Sequence, residues 1–410
     1  MDICADPSRW SELLGSNEWV GLLEPLDIEL RKLILLCGDL CQVTYDTFIN
    51  DESSKYCGCS RYGKASLLRA VSFPYASDFD VAAFLYATAR VSHREALLFK
   101  SKSREKWDSE SNWIGYVAVT NDDATAALGG RRQIYVAWRG TTRDYEWIDV
   151  LGAKLQSVAP LLCDHDQDVE DDDDESGAKV MRGWLTMYIS DDPKSPFTKL
   201  SARTQLLTKL RQLIEKYKEE ELSITFAGHS LGACLSVIAA FDVAENLTSE
   251  IPVTAFVFGC PKVGNKKFDR RLKSHPNLKV LQIRNVIDTI PHYPIRLMGY
   301  VNTGTMLEID TRKSPYLKDS KTVGDWHNLQ AMLHIVNGWN GKKGEFKLEI
   351  KRSLALVNKS CDFLKEECLV PGSWWVEKNK GMVLNDDGEW VMGDPEEADL
   401  PVPEFDHGEW

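Results

Sequence analysis

A serine lies between two glycines in a G-x-S-x-G pattern at residues 228–232, which read Gly-His-Ser-Leu-Gly. An apolar run at residues 223–227 predicts a β-strand before the pattern, and an Ala-rich apolar run at 231–244 predicts a helix after it. A strand, a sharp turn and a helix expose a nucleophilic serine at the carboxyl edge of a parallel sheet, where the helix dipole favours an oxyanion. Ser230 is therefore the candidate nucleophile; the alternative is a serine that only caps the helix.

A serine hydroxyl needs a base to remove its proton, and an acid to orient that base. Folds that use this kind of turn carry the three groups in the order serine, acid, histidine. Asp288 follows a predicted strand at residues 278–284, so we expect it at the same sheet edge as Ser230. Asp269, within a basic surface helix, and Asp310, between predicted loops, are weaker candidates for the acid.

Two histidines compete for the role of base. His327 and His334 are seven residues apart, so a helix predicted at residues 326–336 would carry them on one face. His327 lies at the start of that helix beside a loop, as a catalytic histidine requires, whereas the apolar neighbours of His334 are typical of a core position. We predict His327 as the base, with His292, close to the candidate acid, not excluded.

The developing oxyanion needs N–H donors, and one such donor is worth roughly two to three orders of magnitude in rate. The backbone N–H of Leu231, directly after the nucleophile, is one candidate by the geometry of the turn. Thr141, after a strand predicted at residues 133–138, offers both its N–H and its hydroxyl as the second. The alternative for this second loop is a simple glycine turn.

Residues 143–151 interleave charges with apolar and aromatic side chains, among them Tyr145, Trp147 and Ile148. The pattern predicts an amphipathic helix. It could pack on the core as a surface helix, or it could be a lid that covers the serine in water and opens at a lipid surface. The residues alone leave both interpretations open.

Composition excludes several classes of protein. The chain has 410 residues, 43% of them hydrophobic, and a net charge of −13, which disfavours nucleic-acid binding and attachment to anionic membranes by charge alone. Nine of the twelve residues 164–175 are acidic, which predicts a solvated loop. A calcium loop is the alternative, although the glycine-centred spacing of such a loop is missing.

Other features predict a soluble, intracellular protein without a zinc site. The first residues resemble no targeting signal, and no run reaches the roughly 18 apolar residues that span a bilayer. The ten cysteines contain no paired C-x-x-C units, so we predict reduced thiols and no metal site.

Alternating strands and helices predict an α/β protein with a mostly parallel central sheet flanked by helices. No long linker interrupts the chain, which favours one domain: an N-terminal helical segment at 1–110, a catalytic core at 111–356 and a wrapping tail at 357–410. Periodicity predicts two further strands, at 114–120 and 253–258, and three further helices, at 27–45, 78–88 and 199–218.

Together, residues 138–141 (Trp-Arg-Gly-Thr), 228–232, 288–291 (Asp-Thr-Ile-Pro) and 327–329 (His-Asn-Leu) resemble the class 3 lipase family. The segment 358–365 and the Trp374-Trp375 pair also resemble its plant cytosolic phospholipase A1 branch, class II, and the likeness covers nearly the whole chain. The resemblance implies an α/β-hydrolase fold with a lid, and hydrolysis of the sn-1 ester of glycerophospholipids at a membrane or micelle surface.

Carried over by position, the resemblance implies that Ser230 forms the acyl-enzyme, with Asp288 as acid and His327 as base. It likewise implies an oxyanion hole at Thr141 and Leu231, a lid around Tyr145, Trp147 and Ile148, and no metal or organic cofactor. An esterase of soluble esters and a lipase-like protein that binds without hydrolysis are the alternatives. A serine peptidase would share the triad but has no support from the family.

Overall fold

The computed structural model describes residues 7–88, 99–104, 106–108, 111–141, 153–162, 177–375 and 382–405. The predicted lid residues Tyr145, Trp147 and Ile148 lie outside the described residues, as does the acidic segment 164–175.

A seven-stranded sheet forms the centre of the protein, in the spatial order β1-β2-β3-β6-β7-β9-β11. The strands β3, β6, β7, β9 and β11 run parallel, while β1 and β2 are antiparallel to their neighbours. These seven strands are β1 Phe79–Thr88, β2 Ser111–Thr120, β3 Arg131–Trp138, β6 Glu221–His229, β7 Val253–Phe258, β9 Leu278–Asn285 and β11 Thr305–Ile309.

Smaller sheets lie beside the central one. Four short strands pair in the order β10-β8-β5-β4, and a separate hairpin pairs β12 with β13. Their bounds are β4 Leu155–Ser157, β5 Lys179–Met181, β8 Gly264–Asn265, β10 Tyr300–Val301, β12 Met382–Leu384 and β13 Trp390–Met392.

Helices cover both faces of the central sheet. The described α-helices are α1 Trp10–Leu13, α2 Ile28–Asp46, α3 Leu67–Ala70, α4 Asp122–Ala127, α5 Arg182–Ile189, α6 Ala202–Lys216, α7 Leu231–Asn246, α8 Lys266–Ser274, α9 Val323–Trp326 and α10 Leu329–Gly338. Alternate residues of β3 belong to different buried clusters: Ile134 and Val136 pack with α5, α6 and α7, whereas Tyr135 and Ala137 pack with α2 and α10.

The prediction of an α/β fold with a mostly parallel, helix-flanked sheet is confirmed. The strands predicted at 223–227, 253–258 and 278–284 correspond to β6, β7 and β9, which are buried as neighbours in the middle of the sheet. None of the helices in the described part of the chain is long and apolar enough to cross a membrane.

One predicted helix is wrong, because residues 78–88 form strand β1 instead. The apolar residues Val81, Phe84 and Leu85 have helical spacing, but all seven residues 81–87 are apolar, and β2 supplies hydrogen bonds along the strand, with two register shifts. The segment 1–110 therefore contributes a strand to the central sheet. We keep the division of a single domain into the segments 1–110, 111–356 and 357–410 as a proposal.

Candidate active site

Ser230 occupies the sharp turn between β6 and α7. Its φ of 59° and ψ of −123° are a strained conformation for a residue with a side chain. The Ser230 N–H donates to the Phe258 carbonyl oxygen on β7 at 3.0 Å, and a Cβ at Gly232 would overlap the backbone of Trp138 on β3. The turn is thus held between the two neighbouring strands. Within the described residues, the buried Ser230 Oγ has no hydrogen-bond partner.

Asp288 and His327 form a buried pair. His327 Nδ1 lies 2.5 Å from Asp288 Oδ2, and the two side chains are 1% and 0% exposed. The other carboxylate oxygen of Asp288 accepts the Ile290 N–H at 3.0 Å, which fixes the orientation of the carboxylate. Asp288 follows the end of β9, so it reaches the same carboxyl edge of the sheet as Ser230.

The position of His327 follows from a break between two helices. His327 is the C-cap residue that follows α9, and Asn328 is the N-cap residue of α10, where its side chain accepts the Ala331 N–H at 2.9 Å. The imidazole rests on Gly259, where a Cβ would lie only 2.6 Å from His327 Cε1. Gly259 has a φ of +55° and directly follows Phe258, the residue that accepts the Ser230 N–H. The ring is therefore packed against the loop that also holds the serine.

His229, the residue before the serine, holds the backbone of His327. His229 Nε2 lies 2.8 Å from the His327 carbonyl oxygen, and the two imidazole rings are 4.5 Å apart between centroids. His229 Nδ1 lies 2.7 Å from the hydroxyl of Tyr45, which belongs to α2. These partners assign a neutral ring in which Nε2–H donates and Nδ1 accepts. Burial, with a smaller contribution from His327, lowers the pKa of His229 well below its usual range.

Sequence reasoning did not predict that His229 and Tyr45 support His327. A histidine inside the G-x-S-x-G pattern was the available signal for His229. Tyr45 gave none, because it lies 184 residues earlier in the chain and its contact exists only in the fold.

The other two candidate histidines have partners outside the Asp288–His327 pair. His334 Nε2 lies 2.7 Å from Ser314 Oγ, and burial lowers the pKa of His334 to about 4. His292 is exposed and lies against the Arg284 guanidinium. The structure thus brings His327, and not His334 or His292, to Asp288.

The other candidate acids form surface ion pairs. Asp269 is paired with Lys273 one turn further along α8, and Asp310 pairs with Arg312. Asp310 follows β11, a strand that sequence reasoning missed, so it too lies at a carboxyl strand end. Its carboxylate is nevertheless occupied by Arg312 through both oxygens.

The predicted oxyanion loop lies beside the serine turn. Trp138 on β3 is opposite Gly228 on β6, and a Cβ at Gly140 would lie 2.6 Å from the His229 carbonyl oxygen. Thr141 is buried, three residues beyond Trp138, and Leu231 is the first residue of α7. Both predicted donors therefore lie near Ser230, and their role as an oxyanion hole stays a prediction.

Arg139 stiffens the same loop. Its buried guanidinium lies 3.6 Å from the centroid of the Phe48 ring and donates to the carbonyl oxygens of Trp113 and Gly140. Burial lowers the pKa of Arg139 to about 10, so the side chain is still charged at neutral pH. The loop that carries Thr141 is thus tied to β2 and to the segment after α2.

The part of the chain that the structure describes contains neither a candidate metal site nor a disulfide bond. Its residues contain no group of three or more His, Cys, Asp or Glu side chains that could hold a metal ion, and no disulfide joins its eight cysteines. Burial raises the pKa of several thiols, Cys37 and Cys234 among them, which keeps them protonated and unreactive.

The sheet, the strained serine at its carboxyl edge and the coupled acid and histidine define a serine hydrolase of the α/β-hydrolase class.

Residues 135–298 match the family model of lipase (class 3). The chain is 60% identical to phospholipase A1-IIdelta of Arabidopsis thaliana, over 97% of this chain and 99% of the relative. It is 53% identical to phospholipase A1-II 5 of Oryza sativa subsp. japonica, over 98% of this chain and 86% of the relative.

A solved triacylglycerol lipase aligns with 68% of this chain and 79% of its own, at 17% identity and a TM-score of 0.42. The two plant relatives are far more similar, and their alignments run nearly from end to end. The chain therefore belongs to the class 3 lipases, in the phospholipase A1-II family of plants.

Proposed function

We propose that this protein is a phospholipase A1 that hydrolyses the sn-1 ester of glycerophospholipids through an acyl-enzyme on Ser230. The observation that carries the proposal is the buried Asp288–His327 pair, 2.5 Å apart, at the sheet edge where the strained serine stands. The names of the plant relatives support the substrate, and the family supports ester hydrolysis.

In the first step, His327 Nε2 takes the hydroxyl proton as Ser230 Oγ bonds to the sn-1 carbonyl carbon. The carbonyl oxygen becomes an oxyanion, which accepts hydrogen bonds from the N–H of Leu231 and from Thr141. Asp288 keeps Nδ1–H of the imidazole oriented and stabilises the imidazolium. The ester C–O bond then breaks, and His327 gives its proton to the glycerol oxygen of the leaving lysophospholipid.

In the second step, His327 removes a proton from water as the water oxygen bonds to the acyl carbon. The C–O bond to Ser230 breaks, the fatty acid leaves, and the imidazolium returns the proton to the serine oxygen. The neutral His229 contributes by fixing the backbone of His327 through both steps, since a hydrogen bond to its carbonyl opposes movement of the ring.

The substrate would be met at a membrane or micelle surface, with the segment around Tyr145, Trp147 and Ile148 acting as a lid. Cytoplasmic location and the absence of a cofactor also stay predictions. A fluorescent fusion observed in plant cells would test the location, and activity after exhaustive chelation would test the cofactor.

The decisive experiment uses phosphatidylcholine labelled in the sn-1 or the sn-2 chain, above and below its aggregation threshold. Wild type should release the sn-1 chain from aggregates, and Ser230→Ala should release neither. Ser236→Ala is the matched control, because it also removes a buried serine hydroxyl that has no hydrogen-bond partner in the described part of the chain. Release of neither chain by folded wild type would contradict the proposal, and turnover of soluble esters alone would favour an esterase.

A further inference from the structure

Three large apolar side chains are exposed together on one turn of the chain. Ile295, Leu297 and Met298 are 54%, 95% and 48% exposed, and Leu297 is the most exposed large apolar side chain of the described residues. Exposed Arg296 lies between them. We call residues 295–298 the apolar tip. Grouped exposure of this kind is unfavourable in water, and it marks a surface that meets another apolar phase.

The apolar tip belongs to the loop that begins at Asp288. This loop leaves the carboxyl end of β9, passes through the tip and enters β10, where Tyr300 is fully buried. The tip therefore begins seven residues after Asp288, in the connection that leaves the carboxyl end of β9.

Lys262 anchors the base of the tip to the neighbouring loop. Its backbone N–H donates to the Tyr293 carbonyl oxygen at 2.8 Å, and its Nζ donates to the Pro294 carbonyl oxygen at 2.9 Å. Lys262 comes three residues after Gly259, on which the His327 ring rests. Residues 293 and 294, which precede the tip, are thus hydrogen-bonded to the loop on which the His327 ring also rests.

The charge around the tip differs from that of the rest of the chain. The 19 residues 289–307 contain no Asp or Glu, although 62 of the 410 residues in the chain are acidic. Arg296 is the only Lys or Arg in this stretch. A chain with a net charge of −13 is repelled by an anionic lipid surface, so an acid-free, cationic and apolar point is where the protein can approach such a surface.

We propose that the apolar tip inserts into the surface of a phospholipid bilayer or micelle and so presents the triad to the lipid. This rests on the proposed function only in taking the substrate surface as the occupant. Leu297, Ile295 and Met298 enter the acyl boundary while Arg296 stays among the phosphates, as in other interfacial elements. A lipid surface fits this chemistry, since it offers hydrocarbon beneath a layer of anions and needs no complementary groove.

The test is vesicle flotation of full-length protein that carries Ser230→Ala, so that the lipid is not consumed. The vesicles are phosphatidylcholine with and without phosphatidylglycerol. Adding Leu297→Asp should lower the partition coefficient at least tenfold. Leu369→Asp is the matched control, because Leu369 is 89% exposed but lies elsewhere, and it should change binding less than twofold. Arg296→Gln should weaken binding mainly to the vesicles that contain phosphatidylglycerol.

A gain-of-binding variant guards against a folding defect. Leu297→Trp should increase the partition coefficient several-fold, since tryptophan favours the lipid interface. Equal binding of the Leu297→Asp and Leu369→Asp proteins would overturn the proposal, and so would binding that the Leu297→Trp protein does not increase. Either result would leave the apolar tip without a role at lipid surfaces and would favour a protein partner.

The failure of this proposal is distinguishable from that of the proposed function. With Ser230 restored, the ratio of the rate on vesicles to the rate on a soluble ester should fall at least tenfold for Leu297→Asp and less than twofold for Leu369→Asp. An enzyme that releases the sn-1 chain with an unchanged ratio would refute the role of the tip alone. A wild-type protein that binds vesicles through Leu297 but hydrolyses no glycerolipid would refute the function alone.

Discussion

Replacing Gly259 by alanine should displace His327, the proposed base, without removing any group of the candidate triad. The added Cβ would lie 2.6 Å from His327 Cε1 and 2.9 Å from His327 Nδ1. Carbon atoms in contact need about 3.5 Å, so the ring must move by about 0.9 Å. A misplacement of about 1 Å in an active site can cost on the order of 100-fold in rate. We therefore expect kcat/KM to fall by about 10- to 100-fold.

The assay is hydrolysis of p-nitrophenyl butyrate, a soluble ester that makes the result independent of lipid surfaces. The control is Gly130→Ala, because Gly130 also has a positive φ, +88°, but a Cβ there meets nothing within 4 Å. Both variants should lose roughly 1–2 kcal/mol of unfolding free energy from the strained backbone. Turnover by Gly259→Ala within threefold of Gly130→Ala would refute the reasoning that the His327 ring depends on this glycine.

Two further predictions concern the other histidines. Tyr45→Phe removes the partner of His229 Nδ1 and should lower kcat up to about tenfold with little change in KM. The control Tyr116→Phe removes a tyrosine hydroxyl that donates to the Leu40 carbonyl oxygen of α2, and it should lower only the melting temperature. Because burial lowers the pKa of His334 from 6.5 to about 4, its stabilising contribution is complete above pH 6.5 and is lost as the pH falls toward 4. Between pH 7 and pH 5, the free energy of unfolding measured in urea should fall by about 2 kcal/mol less in His334→Gln than in wild type. An equal fall in the two proteins would contradict this assignment.

The middle of the sheet and the order of the candidate triad could be predicted from the sequence because the signals there are local. The strand before Ser230, the helix after it and the strand before Asp288 each carry their own apolar pattern, and parallel strands place their carboxyl ends at one edge. The choice of His327 over His334 rested on the difference between a helix start and an apolar helix interior, which is also readable from the sequence.

Features that depend on pairing between distant segments were missed. Residues 81–87 of β1 are all apolar, so their period does not distinguish a strand from a helix, and only the pairing with β2 decides. The strand β11 is short and half-buried, so it lacks a clear alternation. Tyr45 and Gly259 act through contacts with His229 and His327, which no spacing along the chain encodes.

The contact between Tyr45, His229 and His327 has a consequence for biosynthesis. His327 comes 97 residues after Ser230. Tyr45, which supports His327 through His229, lies 184 residues before His229. Both Tyr45 and His327 fall outside the segment 135–298 that matches the lipase family. A nascent chain that has emerged only as far as residue 320 carries Ser230 but not His327, the base of the proposed mechanism. Under the proposed mechanism, hydrolysis therefore begins only after residues 45, 229 and 327 have all been synthesised and have folded together.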